Sequence, residues 1–118
     1  MEFDRFSITL LLTPAAPPAM TAEEEAELQD RHLDYLATMH EAGKLVAVGP
    51  ALDPDHHIRG VAIYPLDVDA ARAIAEADPA VRAGRFDVVA FGWMVPTGAV
   101  HFTPSTFPHS AADVRGEA

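Results

Sequence analysis

Leu28, His32, Tyr35, Leu36 and Met39 are spaced to fall on one stripe of a helix, so a histidine stands in the middle of an otherwise mostly apolar face. A histidine in that place has given up part of its hydration and needs a hydrogen-bonding partner. One reading makes it a core residue bonded to a backbone carbonyl. The other makes it a general acid/base, which requires a carboxylate close enough to orient the ring. Asp78 is the best candidate for that carboxylate, because it ends the second predicted helix, on the same sheet face, where a negative charge meets an unfavourable dipole. Asp78-Pro79 also fits an N-cap followed by proline at N1, starting a short helical turn through Val81 or Ala83 with no chemistry attached.

Other chemistries find little support. The chain has no cysteine, which removes thiolate nucleophiles, disulfides and cysteine-ligated metal centres and suits a reducing, intracellular setting. A GxSxG elbow, a phosphate-binding glycine loop, HExxH and GxGxxG are all absent from the sequence. Of the six histidines, His56 and His57 are adjacent in a turn and cannot chelate as an i, i+4 pair would, while His101 and His109 lie in a tail. No metal is expected.

At 118 residues and 12.7 kDa, with 49% hydrophobic and 22% charged residues, the chain suits one globular domain. Such a chain buries roughly two-thirds of its unfolded surface. Eight Lys+Arg against 18 Asp+Glu give a net charge of −10 with no basic patch, which argues against nucleic-acid binding. The apolar runs, such as Ile8 to Leu12 and Val88 to Val95, fall far below the roughly 20 residues of a membrane helix. The opening Met1-Glu2-Phe3-Asp4 lacks the basic n-region of a secretory signal, and a cytoplasmic location is expected.

These residues need elements to place them. Phe6, Ile8, Leu10 and Leu12 alternate with their neighbours and end at Thr13-Pro14, a first strand. After a connector from Pro14 to Met20, Thr21-Ala22-Glu23-Glu24 forms a capping box with acidic residues at 23, 24 and 25 facing the positive end of the dipole. That helix runs to about Ala42, with Gly43 as its left-handed stop. Lys44 to Gly49 reads as a second strand. Asp53-Pro54-Asp55-His56-His57 reads as the turn into a third, Ile58 to Tyr64, and the pair forms a hairpin. Asp67 caps a second helix from Val68 to about Ala77, and Phe86 to Val95 is the last strand. The order βαββαβ with right-handed crossovers gives an α+β, ferredoxin-like fold: a four-stranded antiparallel sheet with two helices on one face.

On the last strand Val89, Phe91, Trp93 and Val95 alternate with Val88, Ala90, Gly92 and Met94, so both faces are apolar. Two helices cover one face. The other needs a further layer, and a second copy of the chain, packed sheet to sheet, is the economical source. From Thr97 the periodicity stops in a tail containing His101, Phe102, Phe107 and His109. It reads either as a loose terminus or as an arm whose phenylalanines pack on the partner subunit or close over a cleft. The expected division is a domain over residues 1–96 and an extension over 97–118.

Arg31-His32-Leu33-Asp34-Tyr35-Leu36, Ala42-Gly43-Lys44-Leu45, Gly49-Pro50 and Ala77-Asp78-Pro79-Ala80-Val81-Arg82-Ala83-Gly84 together resemble the YciI-like (YCII-related) family, over roughly Phe6 to Val95. The resemblance implies a ferredoxin-like fold assembled as a dimeric α/β barrel, with a His/Asp pair at the site that falls here on His32 and Asp78. The family resembles muconolactone isomerases in fold and includes a dehydrochlorinase of a chlorinated hydroxyquinol. It thus implies acid–base chemistry (isomerisation, elimination or dehydrochlorination) on a small cyclic or aromatic molecule, with no cofactor. The same scaffold would also serve a non-catalytic ligand-binding or assembly module. Around the pair, Arg31, Tyr35, Pro50 and Arg82 are the substrate-binding candidates. Arg31, Arg82 and Arg85 are suited to an anionic group, or equally to surface pairing with Glu and Asp. The proline-rich connector and the aromatic tail depart from the usual member, and Gly49-Pro50 bends the chain beside the site or simply ends its strand.

Overall fold

The computed structural model describes residues 1–117. Its elements are β1 (Phe3–Leu12), α1 (Ala22–Glu41), β2 (Ala47–Pro50), β3 (Ile58–Tyr64), α2 (Val68–Glu76), α3 (Pro79–Arg82), β4 (Asp87–Pro96) and α4 (Ala111–Val114). The strands form one antiparallel sheet in the order β2-β3-β1-β4, which is the ferredoxin-like arrangement.

The start and end of α1 follow from local chemistry. Thr21 Oγ1 accepts from the Glu24 amide at 3.1 Å and the Glu24 carboxylate accepts from the Thr21 amide at 3.0 Å, so two orphan donors are satisfied reciprocally. At the other end Gly43 takes φ +76, its N–H donates to the His40 carbonyl at 2.9 Å, and the Lys44 N–H donates to that of Met39 at 3.0 Å. That closure uses up the first residues expected of the second strand and sends Leu45 into the core, so β2 begins at Ala47 rather than Lys44. The β2–β3 turn is organised by Asp53, whose carboxylate accepts from the amides of Asp55, His57 and Ile58 at 3.1, 3.0 and 2.8 Å. Those bonds, the one from Ile58 foremost, hold Asp53 below the usual carboxylate range.

β1 is one of the two inner strands and is longer than its apolar alternation suggests, because pairing with β4 runs unbroken from Phe3↔Pro96 to Leu12↔Asp87. Its helix-facing side carries Ser7, Thr9 and Leu11. The two hydroxyls are tolerated there because each is bonded: Ser7 donates to the Leu66 carbonyl at 2.7 Å, and Thr9 shares a 2.9 Å bond with the Tyr64 hydroxyl. Leu45, Ala62, Tyr64 and Ala71 form a buried cluster on this side, against which Leu36 and Met39 of α1 and Ile74 of α2 pack. The opposite face presents Phe6, Ile8 and Leu10 beside their β4 partners Trp93, Phe91 and Val89. Val89 and Phe91 remain 42% and 40% exposed.

The chain beyond β4 is anchored at several points. Phe102 meets Phe6 edge-on at 5.4 Å, and Phe107 stacks on the His40 ring at 3.7 Å while packing against the core cluster. The His109 ring lies between Asp34 (2.6 Å) and Glu41 (2.9 Å) of α1, and the Ala111 amide donates to Asp30 at 2.9 Å. The expected extension ends at Ala118, which lies outside the described residues.

Candidate functional site

His32 and Asp78 meet. Nδ1 of His32 lies 2.7 Å from Oδ2 of Asp78, and both residues are buried, at 8% and 2% exposure. Asp78 does not end α2: that helix stops at Glu76 with Ala77 as its C-cap, and Asp78 is instead the N-cap of α3, its Oδ1 accepting from the Ala80 amide at 2.8 Å. The carboxylate therefore sits at a favourable rather than an unfavourable helix end, and Pro79 at N1 presets the turn. Since a carboxylate only accepts, Nδ1 is the donor, which leaves Nε2 as the acceptor of the neutral ring. Among the described residues Nε2 has no hydrogen-bond partner, and no buried side-chain N or O lacks one, so Nε2 is reached from outside.

What reaches it is a cavity of about 620 Å³ whose lining includes His32, Leu36, Val48 and Phe86. Its outer wall comes from the segment after β4, through Ser105, Thr106, Phe107, Pro108, Ala111, Val114 and Arg115. The Phe86 ring stands 6.0 Å from that of His32, and the Arg85 guanidinium lies 5.9 Å above the Phe86 ring. Asp78 does not line this cavity; it borders a separate small void, together with Tyr35. A cavity on one side of the imidazole and a buried carboxylate on the other is an arrangement able to move a proton to or from a ligand.

The remaining sequence candidates separate. Pro50 ends β2 and lines the cavity. Tyr35 donates its hydroxyl to the Ile74 carbonyl at 2.7 Å and helps enclose Asp78. Burial, with the Asp78 charge adding to it, pushes the Tyr35 phenol up. Arg31 and Arg82 are exposed and line none of the cavities described here. The cavity's arginines are Arg59, Arg85 and Arg115. Arg59 has no place among the sequence candidates, whereas Phe107, one of the tail phenylalanines read as packing on a partner or closing over a cleft, lines the cavity. The available signal for Arg59 is a charged residue inside the apolar run Ile58 to Tyr64. Among the described residues no group of three or more His, Asp or Glu side chains is placed to hold a metal ion, and no helix is long and apolar enough to cross a membrane.

Comparison with known proteins adds the following. No curated protein matches the chain. Among solved structures, 5-chloro-2-hydroxyhydroquinone dehydrochlorinase from Burkholderia phenoliruptrix AC1100, in complex with 2,5-dihydroxybenzoquinone, is similar with TM-score 0.47 and 23% identity, over 75% of this chain and 92% of that one. A dimeric protein of unknown function and ferredoxin-like fold from Bacteroides fragilis NCTC 9343 is similar with TM-score 0.45 and 12% identity, over 78% of this chain and 97% of that one. The model of the YCII-related domain matches residues 8–92, spanning β1 through most of β4 and both members of the His32–Asp78 pair. The chain belongs to the YCII-related domain family.

Proposed function

We propose that this protein is a homodimeric enzyme that performs acid–base chemistry, of the isomerisation, elimination or dehydrochlorination type, on a small cyclic or aromatic molecule. The observation that carries the reading is the division of the His32 ring: Nδ1 is tied to buried Asp78 at 2.7 Å, while Nε2 is left to the cavity. In this reading His32 is the general base and acid, and Asp78 orients the imidazole and stabilises its charged form. Nε2 takes a proton from an acidic carbon of the ligand, and the electron pair of that C–H bond moves into the adjacent unsaturated system. The imidazolium then returns the proton at a second carbon, completing an isomerisation, or the electron pair expels a halide and the imidazolium passes its proton to solvent, completing an elimination. Proton transfer of this kind contributes typically ~10²–10⁴-fold.

The homodimer is supported by the uncovered sheet face, where Phe91 is 40% exposed in the middle of an apolar surface. In this assembly residues 1–96 form the YCII-like domain and 97–118 an extension, of which residues between Ser105 and Arg115 line the cavity. The test is deuterium exchange in D2O, followed by proton NMR over a panel of cyclic enones, lactones and halogenated hydroxyarenes. Wild-type protein is expected to exchange an acidic C–H of at least one compound, and His32→Asn is expected to lose that exchange. Exchange that survives His32→Asn removes the histidine from the role, and no exchange across the panel favours a non-catalytic ligand-binding module.

A further inference from the structure

The chain carries 18 acidic residues and eight basic ones, yet the lining of the His32 cavity reverses that balance. Among the described residues, Arg59, Arg85 and Arg115 line it and no Asp or Glu does. Arg115 is already engaged, its Nε 2.9 Å from Glu117. Arg59 and Arg85 form no salt bridge among the described residues. On a protein with so many carboxylates, two cavity arginines without one are poorly explained as surface pairing.

Their placement is built into the sheet. Arg59 is the extra residue of a β-bulge, since Leu11 pairs with Gly60 and Leu12 with Ile58. A bulge is where a strand re-aims a side chain out of regular alternation. Arg85 lies two residues before β4, on the other side of β1, with its guanidinium carbon 5.9 Å from the centre of the Phe86 ring. The two residues thus flank the C-terminal end of β1, and both line the one cavity. A planar fork suits a planar, bidentate anion.

We infer that the cavity recognises its ligand through a carboxylate held by Arg59 and Arg85, with the ligand's ring against Phe86, Leu36 and Phe107 and its reactive carbon toward His32. The last clause rests on the acid–base reading of His32; the carboxylate site does not. The arginines give the site its polarity, and the apolar wall gives it room for a ring rather than an extended chain.

Isothermal titration calorimetry with benzoate and with its neutral isostere benzamide tests this, because benzoate has no acidic carbon for His32 to act on. Benzoate is expected to bind in the millimolar range or tighter, to weaken as salt is raised, and to bind at least about tenfold more tightly than benzamide. Arg59→Gln and Arg85→Gln are each expected to weaken benzoate by about tenfold while leaving benzamide unchanged. His32→Asn is expected to retain benzoate binding, so failure of the acid–base reading in deuterium exchange is distinguishable from failure of the carboxylate site. Equal affinity for benzoate and benzamide, benzoate binding indifferent to both arginine substitutions, or no benzoate binding in the millimolar range would each overturn the inference.

Discussion

Asp78 serves two donors with two oxygens, taking the Ala80 amide on Oδ1 at 2.8 Å and the His32 ring on Oδ2 at 2.7 Å. Asp78→Asn keeps the shape of the side chain and leaves it one oxygen. Asparagine caps helices as well as aspartate does, so that oxygen is expected to stay on Ala80 and the amide nitrogen to face the imidazole. Two N–H donors cannot face each other. The ring must then accept at Nδ1 and carry its proton on Nε2, which is the reverse of the wild-type tautomer. Exchanging a charge-assisted bond for a neutral one costs about 1 kcal/mol. Asp78→Ala removes the cap as well, about 1 kcal/mol, and strands a buried ring N–H, about 2 kcal/mol, so it is expected to cost roughly three times as much as Asp78→Asn. Activity is expected to respond differently: the asparagine variant, although nearly as stable as wild type, loses its base at Nε2 and with it ~10²–10⁴-fold in rate. Urea unfolding measures the stabilities, and long-range ¹H–¹⁵N correlation spectra separate pyrrole-like from pyridine-like ring nitrogens. An asparagine variant that still carries its proton on Nδ1, or one as unstable as the alanine variant, would refute the reasoning.

Three further outcomes are expected. Phe91→Asp places a charge in the apolar sheet face opposite Ile8, and light scattering should report a monomer; an unchanged dimer mass would mean that the subunits do not associate through this face. Hydrogen bonds that the His109 ring donates to Asp34, and next to Glu41, raise His109 above its ordinary 6.5. The raised value makes the protonated clasp between the tail and α1 fully present below about that pH and lost as pH rises through the raised value. Heteronuclear NOEs of residues 105–111 should therefore fall at alkaline pH in wild type but be flat in His109→Gln, and identical profiles would contradict the clasp. Because its backbone hydrogen bonds depress Asp53, their contribution is present above its ordinary 3.8 and lost as pH falls through the lowered value, so the Ile58 amide shift should titrate with a midpoint below 3.8 rather than at or above it.

Features that act through near neighbours were readable in the sequence. The Thr21–Glu24 capping box, the Gly43 stop, the Asp67 cap and the Asp53 turn each depend on residues within five positions, and each is present with the expected geometry. The stripe on α1 was legible for the same reason, since Leu36 and Met39 do pack on the core. Features that depend on a partner far along the chain were less so. β1 gains Phe3, Asp4 and Arg5 only because β4 is long enough to pair with them. Arg59 reaches the cavity through a bulge whose existence depends on how two strands align, information that one strand alone does not carry. The segment after β4 has no period to read, and its anchoring by Ser105, His109 and Ala111 comes from α1, 65 to 81 residues earlier in the chain.

Asp78 shows why a structural and a chemical reading of one residue need not compete. Read as an N-cap, it explains α3; read as a partner for His32, it explains a buried carboxylate. Both hold at once because the two oxygens go to different donors. The relation also runs in one direction. A helix of four residues is too short to be stable alone, and what holds it in place is its proline at N1, its cap and its packing against α1. Once Oδ1 is fixed on the Ala80 amide, the carboxylate has lost its freedom to rotate, and Oδ2 is aimed at the α1 stripe whether or not the histidine is there. The cap is thus the device that orients the carboxylate, and the carboxylate in turn fixes which nitrogen of His32 faces the cavity. A replacement that kept the charge but lost the cap geometry, such as Asp78→Glu, would therefore be expected to disorder the ring rather than preserve it.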